Sequence, residues 1–262
     1  MATFQRARSE EQREVRRRAI LDAAAAMLAE MPVAQVSLNE LSRRVGLAKS
    51  NVLRYFESRE AVLLELLDSA WQEWLAGLAE ALGAAAGAGA AGDAGGLGAA
   101  GDADSAGGAG GSPDDRGDQL AAELATSLAS RPVLCDLISA QAAVLERNVS
   151  PQVAAQYKRA AVANVTALSR LVLACVGELG EHGAGRFAAA TVLVAGAVWP
   201  YAQPSAAMLA AYQADPALAS MRLDFTATLR EVLETLIAGL LARSSGPIAR
   251  AARPIYRPGI SP

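Results

Sequence analysis

Apolar residues recur at the spacing of a helix face along most of this chain. Between Ile20 and Met31 they lie three and four positions apart, and Pro32 ends the run. A short second helix is predicted to begin after Ser37 and to end at Gly46, because glycine readily takes the left-handed conformation that follows helix ends. We find no stretch in which apolar and polar residues alternate as in a strand, so the pattern predicts an all-α protein.

Two more helices are predicted to follow in close succession. Ser37 and Glu40 form a capping-box pattern, in which each side chain binds the backbone N–H of the other residue at the start of the second helix. A third helix is predicted from Lys49 to Phe56, and a longer fourth helix begins at Ser58. The apolar face of the fourth helix comprises Leu63, Leu66, Leu67, Ala70 and Trp74.

The composition divides the chain into five regions. Residues 83–117 consist largely of glycine and alanine, which bury little and are costly to order, so this segment is predicted to be a disordered linker. Beyond it the pattern predicts six helices, at about 118–130, 132–148, 151–179, 184–199, 205–214 and 220–243. The predicted regions are an N-terminal arm with a three-helix unit (1–60), a connecting helix (61–82), the linker (83–117), a helical domain (118–243) and a disordered tail (244–262).

The charge is distributed unevenly along the chain. The formal net charge is −3, yet residues 1–60 carry 11 Lys+Arg against 8 Asp+Glu, so the basic excess lies at the N-terminus. The six arginines of the segment RARSEEQREVRRR form either a mobile arm that reaches along a nucleic acid or part of a solvated helix. In the basic, proline-rich tail, Arg250 and Arg253 are either solvated or bind phosphate.

Cysteine usage and the length of the apolar runs indicate the compartment. Cys135 and Cys175 both fall within apolar helical patterns, which predicts reduced thiols rather than a disulfide. The longest apolar run, from Phe187 to Trp199, is shorter than the ~20 residues of a membrane span, and the N-terminus lacks the apolar core of a signal peptide. We therefore expect a cytoplasmic protein.

Two short helices joined by a glycine turn and flanked by longer helices are typical of a helix-turn-helix, whose second helix enters the DNA major groove. In the predicted third helix, Val52 and Phe56 share one face, which places Ser50, Asn51 and Arg54 on the opposite face. Asparagine can bond adenine, arginine can bond guanine, and serine can bond more than one base. We therefore predict that these three exposed residues read the base sequence of DNA.

Phosphate contacts are predicted around the base-reading residues. Lys49 and Tyr55 flank them, where both can reach the DNA backbone. Arg59 lies in the first turn of the fourth helix, where a cation opposes the helix dipole unless an anion is near, and a phosphate would be that anion. Ser37 and Ser58 precede helix starts, whose exposed N–H groups also suit phosphate oxygens.

The stretch VSLNELSRRVGLAKSNVLRYFESREAVLLELL closely resembles the N-terminal domain of the TetR family of bacterial transcriptional repressors. The resemblance covers about residues 12–70. The residues that match DNA-contact positions of the family are Arg54, Tyr55 and Arg59. The sequence departs from the family at Ala48, where a helix-capping Ser or Thr is usual, and at Leu53, where a phosphate-contacting Tyr is usual. Neither of these two residues is assigned to the site.

The resemblance implies a homodimer that binds a palindromic DNA operator, with a C-terminal domain that holds the dimer interface and an enclosed pocket for a small-molecule inducer. An apolar stripe wide enough for an inter-subunit bundle comprises Phe225, Leu229, Val232, Leu233, Leu236, Ile237, Leu240 and Leu241. The segment from Ala184 to Trp199 is apolar nearly all round and is its natural partner. Core packing within one subunit is the alternative.

Four residues are candidates for contact with the effector. Gln141 and Asn164 each share a helix face with apolar residues, and an amide in such surroundings must bond a ligand, water or another side chain. Tyr157 lies on the same stripe as Asn164, and Trp199 is a large aromatic residue that lines either the cavity or the core. A satisfied structural amide is the alternative for both Gln141 and Asn164.

The inventory of reactive residues argues against an enzyme. The single histidine, His182, falls in a glycine-rich turn, the two cysteines lie far apart, and no cluster of Asp, Glu and His has the spacing of a metal site or a catalytic site. We therefore expect no catalytic activity, no metal and no cofactor. The predicted function is a ligand-responsive repressor. The alternative is a helical ligand-binding or scaffolding protein whose helix-turn-helix is structural only.

Overall fold

The computed structural model of the chain describes residues 2–92 and 111–244, and within these ranges the elements are helices and turns, without a strand. The α-helices are α1 (Ala2–Glu30), α2 (Leu38–Val45), α3 (Lys49–Val52), α4 (Arg59–Gly92), α5 (Pro113–Ala129), α6 (Pro132–Ala140), α7 (Pro151–Cys175), α8 (Gly180–Ala202), α9 (Ala206–Ala214), α10 (Pro216–Ala219) and α11 (Phe225–Ser244). The predicted all-α class is confirmed. No single helix of the described chain is long and apolar enough to cross a membrane, although two bent helix pairs reach that length and composition together.

The described helices form two compact units that interleave along the chain. Of the described residues, the first unit comprises 2–72 together with Arg131–Val162, and the second comprises 73–92, 111–130 and 163–244. Helices α4 and α7 therefore each contribute one end to each unit. The sequence predicted successive regions instead, because periodicity identifies helices but does not report which distant segments pack together.

The first unit is built around apolar side chains from all of its helical segments. The buried residues include Ile20, Met27, Leu41, Val52, Phe56, Leu63, Leu67 and Leu137. Two hydrogen bonds join distant segments of this unit: the backbone N–H of Val33 donates to Oδ2 of Asp136 at 2.7 Å, and that of Ser150 donates to Oε1 of Glu57 at 2.6 Å. These bonds attach α6 and the start of α7 to the N-terminal helices.

Helix α2 begins and ends with the predicted signals, with one difference. The Ser37 hydroxyl accepts a hydrogen bond from the Glu40 backbone N–H at 3.2 Å, and Gly46 follows the helix with a φ of 68°. The predicted capping box is incomplete, because the Glu40 carboxylate accepts hydrogen bonds from Arg43 and Arg44 instead of the Ser37 backbone. Charge-assisted bonds from arginine are stronger than a bond from a neutral N–H.

Helix α3 is shorter than predicted. It spans Lys49–Val52 and then loosens into a turn, in which the backbone N–H groups of Tyr55 and Phe56 both donate to the Val52 carbonyl, at 2.9 and 3.1 Å. Ala48, at the N-cap, makes no side-chain hydrogen bond, so one usual stabilising feature of a helix start is absent. The turn carries Phe56 into the core in place of a second helical turn.

The predicted disordered linker is wrong at both of its ends. Helix α4 continues to Gly92, because this part of the chain is rich in alanine, the residue with the highest helix propensity. Helix α5 begins at Pro113, after a complete capping box between Ser112 and Asp115. The remainder of the predicted linker, residues 93–110, lies outside the described residues.

The second unit is organised around α11. The buried stripe of this helix consists of Phe225, Leu229, Leu233, Ile237 and Leu241, and α11 packs against α5 and α8. The approach of α5 is close, since a Cβ placed on Gly117 would lie 3.1 Å from Cγ2 of Ile237. Val232, Leu236 and Leu240 remain half-buried. The single broad stripe of the sequence is thus divided into an inner stripe and an outer stripe.

The two cysteines form no disulfide bond within the described chain. Cys135 is buried in α6, and Cys175 is half-buried at the end of α7. Burial, with Asp136 adding to it, raises the pKa of the Cys135 thiol to about 12, so the thiol stays protonated and unreactive near neutral pH. The predicted reduced thiols are confirmed.

Candidate nucleic-acid interface

The structure orients the predicted base-reading residues as the sequence indicated. Val52 is 0% exposed and Phe56 is 4% exposed, and both lie in the core of the first unit. Ser50, Asn51 and Arg54 are exposed on α3 and on the turn after it. A buried anchor behind an exposed polar edge is the arrangement by which a recognition helix is presented to the major groove. Base contact by these residues stays a prediction.

The two flanking residues differ in their surroundings. Lys49 is exposed at the start of α3, where its ammonium group is accessible to solvent. Tyr55 is half-buried, and its backbone carbonyl accepts a hydrogen bond from Nη1 of Arg17 at 3.2 Å. Phosphate contact by Lys49 and Tyr55 stays a prediction.

Arg17 is a structural residue that the sequence did not single out. It forms an ion pair with Glu65, and its guanidinium carbon lies 4.4 Å from the centroid of the Phe56 ring. The sequence left two possibilities for the segment that contains Arg17, a mobile arm or a solvated helix. Arg17 lies within α1, which begins at Ala2, so the helix is the one observed. Its place on the helix could have indicated this role. Arg17 lies three residues before the buried Ile20 and therefore on the same face of α1.

The anion next to Arg59 is a carboxylate of the chain itself. Nε of Arg59 donates to Oε1 of Glu60 at 3.1 Å, and Nη1 donates to the Val36 carbonyl at 2.8 Å. Glu60 is buried, and a buried carboxylate requires such a partner. The argument that a phosphate must balance this cation is therefore wrong. Contact of Arg59 with DNA stays a prediction without that support.

The serines at the two helix starts act as caps. Ser37 is exposed while it caps α2, and the Ser58 hydroxyl accepts a hydrogen bond from the Ala61 backbone N–H at 3.1 Å. Phosphate binding at Ser37 stays a prediction, because a capping hydroxyl leaves other N–H groups of the first turn available. Arg250 and Arg253 lie outside the described residues.

A network of ion pairs that the sequence did not predict lies on α2. Nη2 of Arg44 pairs with Oε2 of Glu30 at 2.6 Å, and Nη2 of Arg43 pairs with Oε1 of Glu40 at 2.6 Å. Hydrogen bonds from Arg43 and from Arg44 hold the pKa of Glu40 below its usual value, and a hydrogen bond from Arg44 does the same for Glu30. Because these arginines already bind carboxylates, they are weaker candidates for phosphate contact than Lys49.

The four effector candidates are divided between the two compact units. Gln141 and Tyr157 belong to the first unit, whereas Asn164 and Trp199 belong to the second. Gln141 is half-buried at the start of a π-helical turn, and its Nε2 donates to Oε1 of Glu146 at 3.3 Å. This hydrogen bond supports the alternative given for Gln141, a structural amide that is satisfied by another side chain. Asn164 is buried.

Tyr157 and Trp199 are both buried but have different neighbours. The Trp199 ring meets the Phe225 ring edge-on, with centroids 5.0 Å apart and an interplanar angle of 89°, which is core packing in the second unit. Tyr157 lines a cleft of about 290 Å³ in the first unit, together with Arg17 and Glu65. Of the four candidates, Tyr157 alone lines this cleft.

A short helix with an exposed polar edge and an apolar back, preceded by a helix that ends in glycine, is the arrangement of a helix-turn-helix. Residues 20–66 match the family model described as "Bacterial regulatory proteins, tetR family", and residues 68–244 match the model described as "Tetracyclin repressor-like, C-terminal domain". The chain belongs to the TetR family of transcriptional regulators, which are DNA-binding proteins rather than enzymes. The resemblance that the sequence showed is confirmed.

The structure is also similar to solved structures of regulators. A TetR transcriptional regulator from Rhodococcus sp. RHA1 is 15% identical, with a TM-score of 0.49 over 89% of this chain and 97% of that chain. FadR from Bacillus subtilis, in complex with stearoyl-CoA, is 14% identical, with a TM-score of 0.48 over 84% and 97%. A TetR/AcrR family regulator from Thermobifida fusca YX-ER1 is 21% identical, with a TM-score of 0.44 over 86% and 96%. No curated protein matches the sequence.

Proposed function

We propose that the protein is a ligand-responsive transcriptional repressor. It binds a palindromic DNA operator as a homodimer, and a small-molecule effector releases it from the operator. The observation that carries the proposal is the exposed edge of Ser50, Asn51 and Arg54. This edge is held by the buried Val52 and Phe56, in a chain that belongs to a family of DNA-binding regulators.

Two apolar faces in the second unit support the homodimer. On α8, Leu193 is 72% exposed and Tyr201 is 74% exposed, and on α11 the outer stripe of Val232, Leu236 and Leu240 is half-buried. The inner stripe of α11 already packs within the chain, so the outer stripe is available to a second subunit. A helix-turn-helix dimer places its recognition helices about one DNA turn, or ~34 Å, apart, which matches a palindromic operator.

Release by an effector requires that the effector bind the DNA-bound and DNA-free arrangements with different affinities. The coupling is then reciprocal, so the operator weakens effector binding by the same factor. Helix α4 is the proposed route of coupling. It begins at Arg59, three residues after the anchor Phe56, and continues from the first unit into the second.

The competing hypothesis is a helical ligand-binding or scaffolding protein whose helix-turn-helix is structural only. The two hypotheses differ in sequence-specific binding to DNA. Selection of bound fragments from random duplex DNA by the full chain tests this difference, and we expect a palindromic sequence to be enriched. Recovery of fragments without a shared sequence would support the competing hypothesis.

Replacing Arg54 with alanine is expected to relax base preference at one position of each operator half-site by about 1–3 kcal/mol, because arginine can bond guanine with two hydrogen bonds. The measurement is the affinity of the variant for the selected operator and for operators changed at each position in turn. Lys49→Ala is the matched control, since loss of a phosphate contact weakens all sequences alike. If Arg54→Ala also weakened every operator equally, the assignment of Arg54 to base reading would be wrong.

Replacing Leu193 with glutamate is expected to weaken the dimer by about 2–4 kcal/mol, because a twofold interface would bury the new carboxylate from both subunits. Sedimentation over a concentration series measures the dissociation constant. Val15→Glu is the matched control, since Val15 is also exposed but lies on α1 in the first unit. A Leu193→Glu variant that dimerises as tightly as the unaltered chain would place the interface elsewhere.

A further inference from the structure

A cleft in the first unit combines acidic and aromatic side chains next to the DNA-binding segment. It has a volume of about 290 Å³ and is bordered by α1, by the turn after α3 with the first part of α4, and by the first part of α7. All of its lining residues belong to the same compact unit. Its charged lining residues are Arg17, Glu57, Glu65 and Asp68.

The lining of the cleft is negatively charged. Three carboxylates and one guanidinium contribute to it. Arg17 and Glu65 form an ion pair and neutralise each other, and the Arg17 guanidinium also lies over the face of the Phe56 ring. The net negative charge of the lining therefore comes from Glu57 and Asp68. A site of this kind attracts a cation and repels an anion.

One buried polar group of the lining has no hydrogen-bond partner within the described chain. Tyr157 is 7% exposed, and its hydroxyl is buried and unpartnered. Buried polar groups of native proteins nearly always have a partner, so this hydroxyl favours a ligand atom that can bond it. Burial, with Glu146 adding to it, raises the pKa of Tyr157, and the group therefore stays a neutral phenol that both donates and accepts.

We propose that this cleft binds a small organic cation with an apolar or aromatic body. The carboxylates favour the cationic group, and the Tyr157 hydroxyl accepts a hydrogen bond from it. The apolar body contacts Ala61 and Leu64 of α4 and Val153 of α7, which also line the cleft. A volume of about 290 Å³ lies at the lower end of the range for ligand sites, so the ligand is a small amine rather than a lipid or a nucleotide.

Binding of the cation to the cleft does not depend on the proposed function. Its effect on DNA binding does, because that effect requires that the protein bind an operator. Tyr55 and Glu57 line the cleft and follow closely after Arg54 in the chain. Residues 49–56 are here called the recognition segment. A ligand that contacts Tyr55, Glu57 and α7 at once restricts the movement of this segment, and the affinities for cation and operator are then coupled reciprocally. Titration without DNA tests the site itself, and titration with operator tests the coupling.

The test uses the phenethylammonium ion, with 2-phenylethanol as an uncharged probe of nearly the same shape. Calorimetric titration of the full chain without DNA is expected to show about tenfold or more tighter binding of the cation. In 15N-labelled protein, the cation is expected to shift the amide resonances of residues 55–57 and 153–160. Equal affinity for the two probes, or no binding of the cation up to about 10 mM, would overturn the proposal.

Two variants identify the groups that hold the cation. Glu57→Gln removes a charge but keeps an oxygen that can accept from the Ser150 backbone N–H, and Tyr157→Phe removes only the hydroxyl. Each is expected to weaken cation binding by about three- to tenfold. Glu73→Gln, at an exposed position of α4 away from the cleft lining, is expected to leave binding unchanged.

Thermal melting by circular dichroism establishes that the variants fold. Folded Glu57→Gln and Tyr157→Phe variants that both bind the cation like the unaltered chain would refute the site. Binding that follows the expected pattern but leaves operator affinity unchanged would uphold the site and contradict its coupling to DNA. Failure of the protein to bind any DNA would contradict the proposed function and leave the titration of the cation as the test of the site.

Discussion

Raising the salt concentration from about 50 to about 200 mM is expected to lower operator affinity by ~10³ to 10⁵, the range for a protein that makes roughly 6 to 10 phosphate contacts. Each contact releases counterions from DNA, and added salt opposes this release. The basic excess of residues 1–60 concentrates the effect in the DNA-binding unit of a chain whose net charge is −3. We expect the lower end of the range, because Arg17, Arg44 and Arg59 already bind carboxylates of the chain.

Fluorescence anisotropy titrations with a labelled operator at several salt concentrations measure this slope. Lys49→Ala is expected to reduce the slope by about 1 per subunit, or about 2 for the dimer, because it removes one phosphate contact from each subunit. A duplex of unrelated sequence and the same length provides the reference for non-specific binding. An operator affinity that does not respond to salt would contradict the prediction and favour a helix-turn-helix with a structural role only.

Replacing Phe56 with alanine is expected to destabilise the first unit by about 3–5 kcal/mol, since removal of a buried aromatic ring loses apolar contact and leaves a cavity. The ring is 4% exposed, anchors the turn after α3, and carries the guanidinium of Arg17 over its face. Its loss also removes a cation–π contact. Because Arg54 lies two residues before Phe56, the same change is expected to weaken binding to the operator.

Urea unfolding followed by circular dichroism measures the change in the free energy of unfolding. Leu53→Ala is the matched control, because Leu53 lies in the same turn but is 41% exposed, and its replacement is expected to change stability by about 0.5 kcal/mol or less. Similar destabilisation by the two substitutions would show that Phe56 does not anchor the segment. A stable Phe56→Ala variant with unchanged operator binding would contradict both parts of the prediction.

The helix-turn-helix could be predicted because its signals are local. The cap at Ser37 and the positive φ of Gly46 depend on residues within one turn of the helix end. The burial of Val52 and Phe56 and the exposure of Arg54 follow from the spacing of apolar residues over five positions. Each of these features is decided by the backbone near it, so the sequence indicates it without knowledge of the rest of the fold.

Other local predictions failed where two interactions compete for the same group. Glu40 matches a capping box, but Arg43 and Arg44 bind its carboxylate more strongly than a backbone N–H does. The segment that ends at Gly92 contains enough glycine to resemble a linker, but its alanines continue α4. Composition alone does not report which of two such competing tendencies has the lower free energy.

The pattern of apolar and polar residues could not predict contacts between side chains that are far apart in the chain. Arg17 pairs with Glu65, 48 residues away, and this pair was not predicted. Tyr157 and Asn164 both lie on α7 and are both buried, as the predicted stripe requires, but the pattern did not show that α7 passes from one compact unit into the other between them. A helix face shows that a residue is buried but does not show which segment covers it.

The sequence by itself determined the helical class, the recognition segment and its exposed polar edge, because helix periodicity and end signals act within a few residues. The tertiary structure alone decided that α6 and the start of α7 pack with the N-terminal helices and that Tyr157 borders a cleft beside the recognition segment. It also decided that α11 has an inner stripe and an outer stripe. The physical reason is that helices at many places along a chain have similar apolar faces, and the choice among them depends on close packing of the whole set.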